Sequence, residues 1–362
     1  MNRSTEHLTR VFRLQSMLRE WDLDAVLLTS PTAVRYFSAF SGSNGMLLVR
    51  RRKIALYTDV RYEEQAAQES LHCEVHIART ETLLQTASGL GHFRTLEAIG
   101  IEDRHMTVAI HRNAKLLARP ARLHPLGDRL EHLRMRKSPL EIHQIERAVA
   151  VTDAVFADVL ALLQPGVRER EIAAEISYRH RLRGADGDSF DPIVLFGART
   201  SLIHGTPGDA RLRKGDAILI DMGCIVDGYC SDMTRMCVVG VPSRRLRMLH
   251  TALCEAQDAA RDVVAPGVTG RIVDGCARAV LVNHGVDDLF THGLGHGVGL
   301  DIHELPRLSA AYEGRLELGH VVTIEPGIYE AGRIGARMED MVVVEVGGAR
   351  TLTRTPHDLV QV

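Results

Sequence analysis

Lys214-Gly215-Asp216-Ala217-Ile218-Leu219-Ile220-Asp221-Met222-Gly223 and Leu318-Gly319-His320-Val321-Val322-Thr323-Ile324-Glu325-Pro326-Gly327 follow one plan. A glycine turn leads into an apolar run, the run ends in a carboxylate, and glycine returns after one intervening residue. Each stretch reads as a buried strand, and a second acid follows each: Asp232 after Asp221, Glu339 after Glu325. The correspondence extends towards the N-terminus. A helix from about Leu140, apolar at Ile145, Val149, Phe156, Val159 and Leu163, stops at Pro165-Gly166-Val167. Another, with Leu246, Leu249, Leu253, Ala256, Ala260 and Val263, stops at Pro266-Gly267-Val268. Each stop opens a further helix, and these reach Gly184 and Gly285 at equal distances past their prolines. Such a repeat predicts two pseudo-symmetric halves. Facing each other, they bring four carboxylates together. Like charges that close are costly unless cations neutralise them, so two metal ions are expected between the halves.

The segment from Thr291 to Glu304 supplies the histidines. Its glycines lack the GxGxxG spacing of a dinucleotide loop. His292 and His296 have the spacing of helical zinc ligands, but the glycines around them disfavour a helix. An extended strand fits better, with His303 on the face opposite His296 unless a bulge or bend re-aims it. One histidine among four carboxylates is an oxygen-rich donor set, suited to Mn²⁺, Co²⁺, Fe²⁺ or Zn²⁺ in five- or six-fold coordination. His204, His292 and His303 could then donate to substrate oxygen or leaving nitrogen.

The 362 residues suit two domains, and 45% hydrophobic with 25% charged residues is an ordinary globular balance. A formal charge of -2 gives no electrostatic case for nucleic acid or an anionic membrane. No apolar stretch is long enough to span a bilayer, and the start MNRSTEHLTR lacks an apolar leader core. Six cysteines without CxxC pairing fit reduced thiols, and a cytoplasmic location is expected. The first third alternates between helix and strand: a helix from about Leu8 to Trp21, a strand at Ala25–Thr29, a hairpin from Met46–Val49 and Ile54–Thr58, and a helix from about Val60 to Glu69. The basic segment Arg134–Pro139 places the boundary, giving domains 1–135 and 136–362.

Residues from about 138 onward resemble the pita-bread metallopeptidases, among them prolidase, aminopeptidase P and methionine aminopeptidase, with creatinase as a metal-free relative. The motifs are Ile203-His204-Gly205, Ile220-Asp221-Met222-Gly223, Gly228-Tyr229-Cys230-Ser231-Asp232, the His292–His303 run, Thr323-Ile324-Glu325-Pro326-Gly327-Ile328-Tyr329 and Arg337-Met338-Glu339-Asp340. Tyr36 to Gly45 and Thr58-Asp59-Val60-Arg61-Tyr62 resemble the creatinase/prolidase N-terminal domain, which methionine aminopeptidases generally lack. Proline often precedes the His204 position in the family, whereas this chain has Ile203.

The resemblance implies an α/β N-terminal domain followed by an α+β pita-bread domain with a pseudo-two-fold internal repeat. It implies that Asp221 and Glu339 bridge two divalent ions, Mn²⁺ or Co²⁺ foremost and Zn²⁺ or Fe²⁺ as alternatives. Asp232 completes one metal site, and His296 and Glu325 complete the other. Glu325 takes the proton of the attacking water, His303 serves the oxyanion and His204 contacts the scissile amide. His292 and Arg337 line the leaving-proline side, and Arg307 matches an arginine that short prolidases use for the substrate carboxylate. The implied activity is hydrolysis of the Xaa-Pro bond of dipeptides. An Xaa-Pro aminopeptidase acting on longer peptides is the alternative, followed by a creatinase-type amidinohydrolase and a catalytically dead pita-bread interaction module. A homodimer is implied, with Ser41-Gly42-Ser43-Asn44-Gly45 as a mobile turn near the partner's site. The partner molecule is a short proline-containing peptide, not nucleic acid or membrane.

Overall fold

The structure, a computed structural model, describes residues 3–70 and 72–362. The chain divides into two compact units, Met1–Leu133 and Arg134–Val362. The first unit begins with α1 (Arg3–Glu20), β1 (Ala25–Leu28), α2 (Pro31–Ser38), β2 (Gly45–Arg50) and β3 (Ile54–Asp59). It continues through α3 (Glu63–Glu69), β4 (Glu74–Ala78), α4 (Leu83–Gly89), β5 (Ala98–Ile101), α5 (Val108–Leu117) and β6 (Arg122–Pro125), and α6 (Arg129–Met135) runs across the division.

The six strands form one mixed sheet in the order β4-β3-β2-β1-β5-β6. The antiparallel β2–β3 hairpin turns at the basic run Arg51-Arg52-Lys53. Leu27, Leu48, Tyr57 and Ile99 pack with Leu84, Phe93 and Ala114 from the helical side. The helix expected from Val60 starts as a 3₁₀ turn, because the Asp59 carboxylate accepts the Arg61 N–H and caps it. The segment Ser41–Gly45 departs from the expected mobile turn. Ser41 donates through N–H and Oγ to Glu69 at 2.7 Å each, Asn44 donates to Asp59 at 2.5 Å, and Ser43 shares a hydrogen bond with the Tyr62 hydroxyl. The two motifs that carried the resemblance in this unit are thus bonded to each other.

The second unit opens with α7 (Pro139–Leu160), entered through a Ser138–Glu141 capping box, and α8 (Glu169–Leu182). Strands β7 (Gly187–Asp188), β8 (Ile193–Phe196), β9 (Ala217–Met222), β10 (Cys224–Val226), β11 (Tyr229–Cys230) and β12 (Met233–Val238) follow. Then come α9 (Arg244–Val263) and α10 (Gly270–Asn283), followed by β13 (Gly295–Gly297), β14 (Glu304–Leu308), β15 (Val321–Ile324), β16 (Gly327–Glu330) and β17 (Ile334–Arg337). The chain closes with β18 (Asp340–Glu345), β19 (Gly348–Thr351) and β20 (Val360–Gln361). Just beyond α8 and α10, Gly184 and Gly285 adopt left-handed φ angles of 85° and 66°, the conformation that ends a helix without a Cβ penalty.

Two sheets carry the repeat, β20-β12-β9-β8 and β14-β13-β15-β18-β19. In each, a carboxylate strand lies between two antiparallel neighbours: β9 between β8 and β12, β15 between β13 and β18. Both carboxylate strands are covered on both faces, which explains their unbroken apolar runs. In β9, Leu219 packs with Leu249 and Leu253 of α9, while Ile218 and Ile220 pack with Phe156 of α7 and Ile172 of α8. In β15, Val322 and Ile324 join the α9–α10 cluster and Val321 meets Ile145 and Val149 of α7.

A candidate metal centre between the two halves

Asp221 lies at the end of β9, and Asp232 immediately precedes β12, which pairs Thr234 with Asp221. Glu325 directly follows β15 and Glu339 directly precedes β18, with Ile324 paired to Asp340. Each antiparallel pair therefore presents two carboxylates at one end. All four, with His296 of β13, line a cavity of about 930 Å³, within the usual range of small-ligand sites. Asp221, Asp232, His296 and Glu339 are at most 8% exposed.

Ligating atoms of Asp232, His296 and Glu339 lie within 4.8 Å of one another, the one such group among the described residues. His296 Nε2 is also 3.3 Å from Glu325 Oε1. Asp221 reaches the group differently, because one of its oxygens takes a hydrogen bond from Arg337. Its other oxygen, Oδ1, is buried without a hydrogen-bond partner.

These side chains fit a cation. Burial, then Arg337 opposing it and Asp221 adding to it, leaves the Glu325 carboxyl at about 8. Burial and the neighbouring carboxylates push Asp232 and Glu339 well above the ordinary range. His296 is driven the other way, to about 3, by burial and then by His303, so its imidazole is neutral. Its Nδ1 lies 3.1 Å from the Gly297 carbonyl and carries the proton. Nε2 then turns a bare lone pair towards Asp232 and Glu325 at 3.6 and 3.3 Å. Without a metal ion the carboxyls must hold protons to face that lone pair, and a divalent cation would take the place of those protons. Oxygen donors with one imidazole suit the divalent first-row metals.

The outer residues surround this group. β13 ends at Gly297, so the strand expected to run on to His303 is cut short. The β13–β14 register shifts at His296/Gly297, and a bend over Gly299–His303 brings the His303 ring edge-on to His296 at 4.3 Å between centroids. Glycine is required where a Cβ would meet backbone: at Gly295 it would lie 2.1 Å from the Thr323 carbonyl, at Gly297 2.3 Å from that of Leu305. His292 also lines the cavity, with Nδ1 against the Gly293 carbonyl and Nε2 buried without a partner. His204 lines it from the loop after β8, and Arg307 lies across the strand pair from His296. Arg307 makes no side-chain hydrogen bond or ion pair among the described residues.

Arg337 is committed to the protein. It donates to Asp221, to Thr234 Oγ1 at 3.0 Å, to the Tyr329 hydroxyl at 2.7 Å and to the Ile203 carbonyl at 3.2 Å. It lines the cavity while these bonds tie it to Asp221 and the His204 loop.

Sequence reasoning missed its counterpart, Arg235. That fully buried guanidinium donates to the Glu339 carbonyl at 2.6 Å and to Asp340 Oδ1 at 2.6 Å. It also missed two loop anchors. Glu169 accepts from Phe196 N–H, Gly208 N–H and Arg199, bracketing the His204 loop. Asp274 accepts from Leu294 N–H and Arg278, and Arg278 holds the Phe290 and His292 carbonyls. A buried acid in a helix is the only sequence signal either anchor offers.

The model of metallopeptidase family M24 matches residues 143–345, and that of the Creatinase/Prolidase N-terminal domain matches residues 10–136. The Xaa-Pro dipeptidase of Pyrococcus furiosus is 34% identical, over 97% of this chain and 99% of its own length. The structure of an Xaa-Pro dipeptidase from Bacillus anthracis superposes with a TM-score of 0.94 at 33% identity, covering 98% of this chain and 100% of that one. An X-Pro aminopeptidase from Thermotoga maritima superposes with a TM-score of 0.90 at 32% identity, covering 96% and 100%. With its paired carboxylate strands and a cavity arranged for divalent ions, this chain belongs to metallopeptidase family M24.

Proposed function

We propose that this chain is a dipeptidase that hydrolyses the Xaa-Pro bond, using two divalent ions held by Asp221, Asp232, His296, Glu325 and Glu339. The observation that carries the reading is Arg307, a cation of the cavity that makes no side-chain hydrogen bond or ion pair among the described residues and lies across the strand pair from His296. A dipeptide brings its free carboxylate within reach of groups beside the scissile bond, and a guanidinium matches that carboxylate in a fork. The Pyrococcus furiosus and Bacillus anthracis proteins are named for this activity.

Bound ions, Mn²⁺ or Co²⁺ foremost, would supply the positive charge that activates water and polarises the substrate carbonyl. Glu325 would take the proton from the attacking water and pass it to the proline nitrogen, which has no hydrogen of its own and leaves poorly without one. His303 would donate to the carbonyl oxygen as charge builds there. His204 would contact the scissile amide, and His292 would wall the proline side. Arg337 would keep Asp221 in place from behind.

The Thermotoga likeness supports a second reading, an Xaa-Pro aminopeptidase acting on longer peptides. A creatinase-type reaction or an inert module would leave the buried carboxylates without the cations that make their proximity tolerable. Hydrolysis of Xaa-Pro compared with Xaa-Pro-Xaa, with Mn²⁺, Co²⁺, Zn²⁺ or Fe²⁺ supplied, decides between the two peptidases. Dipeptides are expected to be cleaved faster. The reading includes a cytoplasmic homodimer, and sedimentation at the mass of one chain would contradict that part.

A further inference from the structure

Seven charged side chains line the cavity: Asp191, Asp221, Asp232, Arg307, Glu325, Arg337 and Glu339. Four belong to the proposed ligand set, Arg337 is held by protein acceptors, and Arg307 faces the substrate carboxylate in the reading above. Asp191 is left over. It is exposed, and its carboxylate makes no hydrogen bond or ion pair among the described residues. It precedes β8, whose Ile193 pairs with Asp221, whereas Arg307 belongs to the other half, paired with His296. The cavity thus offers one uncommitted anion and one uncommitted cation, each from a different half.

We infer that Asp191 receives a cationic side chain on the residue before proline, so that lysyl- and arginyl-proline are the preferred dipeptides. The inference rests on the Xaa-Pro reading. The α-nitrogen of a substrate cannot be the partner, because it lies next to the scissile carbonyl and must sit with the buried carboxylates. An exposed carboxylate at the rim meets a group several bonds further out. Phe190, Ile193 and Ile203 line the same cavity and give an apolar wall for a methylene stem. Lysine and arginine have that form, an apolar stem with a charged tip.

The test measures kcat/KM of the Mn²⁺-loaded enzyme for Lys-Pro, norleucyl-Pro and Glu-Pro, for the wild type, Asp191→Asn and Asp191→Lys. Norleucine keeps the stem and lacks the charge, and a ratio taken within one preparation cancels differences in active fraction. The wild-type ratio of Lys-Pro to norleucyl-Pro is expected at about fivefold, the upper end for an exposed ion pair. It should collapse to about one in Asp191→Asn, and Glu-Pro should overtake Lys-Pro in Asp191→Lys. A ratio unchanged by both substitutions overturns the assignment of Asp191 and leaves Xaa-Pro hydrolysis standing. A wild-type enzyme that cleaves none of the three dipeptides overturns both readings.

Discussion

In the half built on β9 and β12, the strand beside the carboxylate strand is β8, which sets Ile193 opposite Asp221. In the half built on β15 and β18, the corresponding neighbour is β13, which carries His296. The first half therefore gives the cavity Phe190, Asp191, Ile193, Ile203 and His204, while the second gives His292, His296, His303 and Arg307. The frame repeats because a doubly buried strand with an acid at its end recurs. The chemistry does not repeat, because the neighbouring strands and loops bear no common apolar constraint. Where the halves meet, symmetry returns. Arg337 of the second half holds Asp221 of the first, and Arg235 of the first holds Asp340 and the Glu339 carbonyl of the second.

The comparison breaks most severely at the carboxylates. Asp232→Asn and Glu339→Gln, one from each half, should both abolish turnover, since each removes a charge from a group arranged for cations. Activity and metal content measured together check this, and near wild-type kcat with normal metal in either variant would undo the equivalence. Next come the reciprocal arginines. Arg235→Ala leaves the buried Asp340 charge without that partner and should cost about 3–5 kcal/mol of unfolding free energy in denaturant titration. A loss below 1 kcal/mol would mean that the halves are not joined through it.

A test of asymmetry follows. His303→Ala should lower kcat by roughly 10²–10³-fold if it serves a developing oxyanion, with bound metal unchanged by elemental analysis. Loss of metal would instead make His303 part of the ligand set. The smallest effect should come from Arg307→Ala, with kcat/KM for an Xaa-Pro dipeptide falling by roughly 10–100-fold. A tripeptide places its carboxylate one residue further on and should lose much less. Equal small losses on both lengths favour the aminopeptidase.

The pairing of Asp221 with Asp232 and of Glu325 with Glu339 was legible because each sits at the edge of a long apolar run, where periodicity is informative. The strand that carries His296 was legible from its glycines, whose absent Cβ atoms permit close strand approach, while the choice of His296 among the histidines came from the resemblance. Less legible was the path beyond it. Alternation placed His303 on the opposite face from His296, and a register shift with a bend carried it back. Ser41–Gly45 has the composition of a free turn, yet Glu69, Asp59 and Tyr62 tie it down.

By itself, the sequence determined the repeated strands, their terminal acids and the helix stops, all consequences of hydrophobic period and backbone geometry acting over a few residues. Tertiary structure alone decided that Arg337 would hold Asp221, that Arg235 would reach Asp340, and that Asp191 would line the cavity with no hydrogen bond or ion pair among the described residues. Those outcomes depend on side chains that the fold brings together from about a hundred positions apart. Local patterns carry no record of such pairings, because a charged residue on a strand reads the same whether its partner is a substrate, a metal ion or another arm of the protein.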